Sequence, residues 1–353
     1  MKNDLIYFDT ASAGILSKAT AAAAAKYDDL LLYNASQVFY NFLVDDLPAI
    51  KKETVDFVGV SKDRLAFAPN FSYIFSTFLA SVRPKRKRVL LFENDYYSLT
   101  QPFIEQEFEI TWLKSKDGFT WELDAVETAL KTKQIEILAI SQVQYLTGQK
   151  SDLKELAEIC QRNGVLFFVD GTQSFGAVNF NFDESGIDVF FASNYKWMNG
   201  GYGSATACFK AGIIEAFKPI IAGYGSFRNI DGKFAYEPSI ASYMPGHISM
   251  RPLLGFRNAV QEKVAIGLKE VQRKSHEHVQ FFVENCNSEK VKLIGPKNMQ
   301  NRSQIVCIQA DEALHAKLLQ KGIKTMYRNK SIRIGFHHQN TMQEVEKLLE
   351  MLN

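Results

Sequence analysis

Two apolar runs within residues 165–204 end in oppositely charged side chains, and no other feature of the chain constrains its fold as tightly. The first, VLFFV, is a continuous β-branched and aromatic run, the pattern of a strand covered on both faces. It closes on Asp170 and the breaker Gly171. The second, IDVFFAS, closes on Ser193, Asn194, Tyr195 and Lys196 ahead of the glycine-rich NGGYG. Strands buried on both faces belong to parallel sheets, and open sheets of that kind bind ligands beyond the carboxyl ends of their strands. An α/β fold with an acid and a lysine at a ligand-binding sheet edge is the resulting expectation. An ordinary ion pair at that edge is the competing account of the two residues.

A chain of 353 residues exceeds one ordinary core, so two domains, or one large α/β domain with an appendage, are expected. Basic and acidic side chains nearly balance, 41 against 39, which leaves no field to draw in nucleic acid. The basic stretch RPKRKR, residues 83–88, is read accordingly as a solvated connection before the strand VLLFE. Cys160, Cys208, Cys286 and Cys307 are widely spaced without a CxxC pair, which argues against a disulfide framework or a metal site and for a reducing compartment. The start, MKNDLIYFDTASAG, carries acids where a signal peptide needs an apolar stretch. No apolar run approaches the roughly 18 residues that span a membrane. A cytoplasmic protein with no membrane partner is expected. The loop NGGYGS lacks both GK[ST] and G-x-G-x-x-G, which weighs against a nucleotide-binding enzyme.

Along the chain, LIYFD reads as a short strand and LSKATAAAAAKYDDLLLY as one helix. Residues 34–46 show no clear period and are placed near the site mouth or a dimer surface. A helix over 48–58, the strand RLAFAP and the helix NFSYIFSTFLASV follow, the last behind a turn bearing Asn70 and Ser72. Strands are predicted at 110–113 and 135–141, and LKELAEICQRNG forms an amphipathic helix ended by Gly164. SATACFK is one more strand, 218–246 lacks periodicity, and 253–283 is mostly one long helix. From about 291 the order is strand, helix, strand and helix.

The full string, D-G-x-Q with Asp170 and Gln173, a buried run, then S-x-x-K and small glycines, resembles the pyridoxal-phosphate signature of the class V aminotransferases. That group includes cysteine desulfurases, kynureninase and isopenicillin N epimerase, and the chain looks nearest to the last branch. The resemblance implies a fold-type-I transferase: a large domain over 15–250 with a mostly parallel central sheet flanked by helices, and a small α+β domain from 1–14 and 251–353. It also implies a homodimer with active sites at the interface. Lys196 would form a Schiff base with pyridoxal 5'-phosphate, since a partly desolvated lysine has its ammonium form disfavoured. Asp170 would hold the proton on the ring nitrogen that makes the cofactor an electron sink. Gln173 matches the residue near the phenolic oxygen, and Ser193 and Tyr195 match phosphate ligands, Tyr195 standing where a histidine is common. Ser72 and the backbone N–H of Phe71 align with a phosphate-cradling turn. Tyr96 aligns with the ring that stacks on the cofactor, with Tyr97 the second choice. Tyr145 replaces the asparagine at the ring oxygen. Gly246 and His247 match a segment reaching the neighbouring subunit's cofactor phosphate. Arg333, in R-I-x-x-H-x-x-N-T-x-x-E, matches the grip on a substrate carboxylate. Thr10, Ala11 and Ser12 align with the substrate entrance. Plain alternatives stand beside these: helix capping for Asn70 and Ser72, a core or rim tyrosine for Tyr96, a surface histidine for His247.

The implied function is a pyridoxal-phosphate enzyme acting at Cα of an amino acid, first an aminotransferase. An epimerase or a C–S lyase is the alternative, and a non-catalytic relative of the same fold is another. The loop KGIKTMYRNKSIRIG contains no cysteine, so desulfurase chemistry is disfavoured.

Overall fold

The computed structural model describes residues 5–114, 120–236, 239–287 and 289–353. Its centre is a seven-stranded sheet: β1 (Leu65–Ala68), β2 (Arg88–Phe92), β3 (Glu109–Leu113), β4 (Ile137–Ser141), β5 (Leu166–Asp170), β6 (Val189–Ser193) and β7 (Ala205–Phe209). The spatial order is β1-β7-β6-β5-β4-β2-β3. Only β7 runs antiparallel to its neighbours, so the six carboxyl ends of β1 to β6 open on one edge.

The continuous apolar runs are explained by two cores, one on each face. Leu90, Phe92, Phe167, Val169, Phe190 and Ala192 pack on one side. Val89, Leu91, Phe168, Val189 and Phe191 pack on the other. Alternate residues of each strand enter opposite layers, and each buried large side chain contributes about 1.5–3 kcal/mol. A smaller four-stranded antiparallel sheet is built from Leu293–Ile294, Ile305–Gln309, Ser331–Gly335 and Met326–Arg328. Its core includes Val279, Phe282, Ile332, Ile334, Val345 and Leu348, with Ile6 and Phe8 from the start of the chain.

Three elements differ from the sequence expectation. The alanine-rich helix covers only Lys18–Ala24, and a separate turn, Asp28–Leu31, follows. Residues 34–46 are helical after all: Ala35–Asn41 runs through a π-turn, Phe42–Asp46, into Leu47–Val58. Both departures serve buried Asp46, which accepts from the Tyr27 hydroxyl at 2.5 Å and pairs with Lys26 at 2.8 Å. The long helix over 253–283 is two, Met250–Ile266 and Leu268–Asn285, because Gly267 takes φ +85° between them. Leu253, Phe256 and Val260 pack in the large-sheet core and Val279 and Phe282 in the small-sheet core.

Candidate active site

The carboxyl edge of the sheet gathers the charged residues. Asp170 ends β5, beside Ser141 of β4 and Phe191 of β6. Its Oδ1 accepts the Thr172 N–H at 2.7 Å, and the Thr172 hydroxyl oxygen accepts the Ser193 N–H at 3.1 Å, so one threonine ties two strand ends together. Lys196 leaves β6 two residues beyond Asn194 and is 5% exposed. Its Nζ lies 5.2 Å from the Tyr96 ring centre and 5.8 Å from that of Tyr195.

Burial raises the Asp170 carboxyl to about 6 and lowers the Lys196 ammonium to about 8. Each charge opposes the effect of burial on the other, as expected of an acid and a lysine within electrostatic reach. A lysine near 8 leaves about a tenth of the amine free at pH 7, far more than an ordinary lysine near 10.4, which suits a nucleophile or base. Asp95 adds to the rise at Asp170. It is buried beyond the end of β2, its Oδ1 accepting from the Ser141 hydroxyl at 2.5 Å and from the Tyr96 N–H at 2.7 Å, and thereby sets where Tyr96 stands. Sequence reasoning passed over it, although an acid just past a buried strand is the same signal that marked Asp170.

The turn after Lys196 is braced from three sides. The Gly14 N–H donates to the Tyr195 carbonyl at 2.8 Å, and a Cβ at Gly14 would collide with the Lys196 carbonyl oxygen. Trp197 Nε1 donates to Gln173 Oε1 at 2.7 Å, while Gln173 Nε2 donates to the Ala11 carbonyl at 2.9 Å. Asn199 sits in the left-handed region, φ 58°, with its N–H on the Lys196 carbonyl and its Oδ1 3.0 Å from His337 Nε2. His337 therefore connects the small domain to the lysine turn. The same motif explains Asn340, Thr341 and Glu344: Thr341 and Glu344 form a capping box on the last helix.

Arg333 lies on the small sheet, 7% exposed, and points at the large domain. Its Nη1 donates to the Tyr145 carbonyl at 2.9 Å and its Nη2 to the Ser12 hydroxyl at 2.6 Å, with Asp9 3.5 Å away. Nε is buried with no partner. Tyr145 meets the Tyr96 ring at 5.2 Å between centres, so both tyrosines belong to the same cleft.

The expected phosphate end divides. Asn70 caps the helix Phe71–Val82, accepting the Tyr73 N–H at 2.9 Å, as the capping alternative holds. Phe71 turns its ring into the core against Phe75, 5.2 Å away, and contributes backbone alone. Ser72 is exposed at the first turn, where helix N–H groups lack internal partners. Tyr195 stacks on Tyr202 at 4.6 Å. Gly246 and His247 are exposed and line a cavity of about 540 Å³ with Ala68, Pro69 and Tyr73, next to that helix start.

A family model described as Aminotransferase class-V matches residues 6–348. The chain belongs to the class V aminotransferases. A kynureninase of Geobacillus thermodenitrificans is 27% identical over 266 residues, 69% of this chain and 60% of that enzyme. A probable cysteine desulfurase of Pyrococcus abyssi is 20% identical over all of this chain and 94% of its own. An uncharacterized aminotransferase of Bacillus subtilis, YcbU, is 23% identical over 96% and 91%. Among solved structures, the apo cysteine desulfurase of Thermococcus onnurineus superposes with a TM-score of 0.88 at 20% identity, covering 99% of this chain and 94% of that one. The cystine C–S lyase C-DES superposes at 0.85 and 17% identity, covering 99% and 97%. These likenesses establish fold type I.

Pyridoxal 5'-phosphate is the cofactor of this class V protein, and the cleft fits it. A ring nitrogen needs a buried carboxylate that stays charged, an aldehyde needs an unprotonated amine, and a phosphate needs free N–H groups. Asp170, Lys196 and the start of the helix at Phe71 offer these on one sheet edge.

Proposed function

We propose that this class V protein acts at Cα of an amino acid, as an aminotransferase, with Lys196 as the catalytic base. The observation carrying the proposal is the shared cleft of Lys196, Asp170 and Arg333, in which the Arg333 charge helps hold the lysine low. When bound, pyridoxal phosphate supplies an aldehyde that takes an amine and a ring that draws electrons from Cα. Asp170 holds a proton at the ring nitrogen. Arg333 orients the substrate carboxylate through its fork, with Ser12 and the Tyr145 carbonyl fixing the guanidinium. Lys196 Nζ takes the proton from Cα and returns it elsewhere, between the rings of Tyr96 and Tyr195, which keep water from the amine. Ser193, Ser72 and the Phe71 N–H take the phosphate, and Gln173, held by Trp197, stands beside the ring oxygen together with Tyr145.

A C–S lyase or epimerase is the second reading; the name of the structural neighbour C-DES favours the lyase, and the epimerase shares the same Cα chemistry. Persulfide transfer of the desulfurase kind is disfavoured by the thiols: Cys307 is buried within its strand, where burial raises its pKa. All four cysteines are free, in keeping with a cytoplasmic protein. Among the described residues no helix is long and apolar enough to cross a membrane. The proposed homodimer draws support from large apolar side chains left in solvent, Leu32, Tyr33, Tyr224 and Phe234, each more than 70% exposed.

A panel of amino acids with a ketoacid acceptor tests the reading, scored for new ketoacid, inverted substrate and released sulfide or ammonia. Amino transfer supports it. Sulfide or inversion without ketoacid would move the protein to the second reading, and a colourless protein inert to every amino acid would leave a binding module.

A further inference from the structure

On the side of the molecule where Leu268–Asn285 meets the large domain, a groove of about 390 Å³ is lined by Lys150, Lys269, Gln272, Arg273 and His276. Behind it lies a recess of about 10 Å³ that shares Lys150, Gln272 and His276 and adds Ser275 and Arg302. A recess of that size admits roughly one oxygen atom.

Arg302 is 3% exposed, and neither its Nε nor its Nη1 has a hydrogen-bond partner. The Ser275 hydroxyl facing the same recess is also buried without a partner. A guanidinium out of water is strongly disfavoured unless an acceptor meets it, yet no acid pairs with Arg302 among the described residues. Glu270 and Glu277 are committed to Arg273, and Lys150 and Lys269 make no ion pair among the described residues. Two lysines without an ion pair among the described residues, a buried guanidinium and a buried hydroxyl thus line one groove and its adjoining recess.

We propose that this groove binds a phosphate group, free or carried by a small metabolite, with one oxygen seated in the recess on Arg302 and Ser275. The tetrahedral dianion suits the site: one oxygen takes the buried donors while the others reach Lys150, Lys269 and the His276 ring. Its occupant would bridge the two domains, since Lys150 and Asn179 belong to the large one and the helix to the small one.

Thermal melting of the cofactor-loaded protein in chloride buffers of fixed ionic strength tests this. Millimolar inorganic phosphate is expected to raise Tm saturably, with the visible spectrum unchanged because the cofactor site is already filled. Glycerol phosphate serves as the carried form, and the tighter of the two identifies the source. Arg302→Met is expected to weaken phosphate at least tenfold while keeping the chromophore. If that variant does not fold, the exposed change Lys269→Gln combined with Lys150→Gln, read by titration calorimetry, carries the same expectation. Absence of a saturable rise in the unaltered protein, or full retention of it in the variants, overturns the proposal.

Discussion

The lysine turn and the segment around His247 meet at one cavity, which Gly203 and His247 both line, yet they are built in opposite ways. Between Ser193 and Ser204 most side chains are buried, and each close approach is met from within the chain: Gly14 against Lys196, Gln173 against Trp197, His337 against Asn199. Between Ala222 and Ser249, Tyr224 is 86% and Phe234 76% exposed, and the hairpin Phe227–Ile230 with Lys233–Tyr236 is almost wholly in solvent. Groups that work within one chain are packed by that chain. The exposed groups between 222 and 249 are the ones the proposed second copy would cover.

The largest expected effect lies on the packed side. Lys196→Ala removes the proposed base and should lower turnover about 10²- to 10⁴-fold, and borohydride should no longer fix the cofactor to the chain, as mass spectrometry would report. Retention of the covalent adduct would show another amine at work and undo the site. Asp170→Asn should come next. Losing a charge-assisted bond costs about 1.5–3 kcal/mol, so cofactor retention should fall tenfold to a hundredfold in equilibrium dialysis, with the fold intact. Unchanged retention would mean that the carboxylate faces something other than the ring.

The brace beneath the lysine carries a proton-linked prediction. Lys263 is 3% exposed, and burial lowers its ammonium to about 7; its Nζ lies 3.4 Å from His338 Nδ1, next to His337. An unfolded lysine titrates near 10.4, so between roughly pH 7 and 10.4 the unfolded chain binds a proton that the folded one does not. Stability should therefore rise with pH across that window, by at most about 1.4 kcal/mol per unit, and the contribution should be flat below it. Lys263→Met should flatten the slope in denaturant melts of the cofactor-loaded protein, where the proposed Schiff base holds Lys196. An unaltered slope would place the titration elsewhere.

Much of this was legible because it repeats a simple physical pattern. Apolar runs bounded by Asp170 and Lys196 announced a sheet covered on both faces, and the structure adds Asp95 beyond the end of β2 by the same rule. What escaped the sequence depends on three-dimensional closure. The π-turn at Phe42–Asp46 brings Asp46 to Tyr27, the break at Gly267 lets two successive helices serve two cores, and Phe71 sits at the start of a helix while its ring serves the core. None of these has a local periodic signature.

The smallest effect separates the two regions most sharply. His247 packs edge-on against Phe39 at 4.5 Å, lies 6.3 Å from the Tyr224 ring and is exposed, so His247→Ala should remove one solvent-exposed hydrogen bond to a charged phosphate, about 1.5 kcal/mol of cofactor affinity, the low end for such bonds. The informative measurement mixes it with Lys196→Ala. In a hybrid dimer, the subunit that keeps Lys196 receives an intact His247 only if that residue reaches across the interface. Co-refolding the two variants should then restore normal cofactor affinity at the sites that retain Lys196. If His247 serves its own chain, mixing restores nothing, and the open segment needs an occupant other than a second copy.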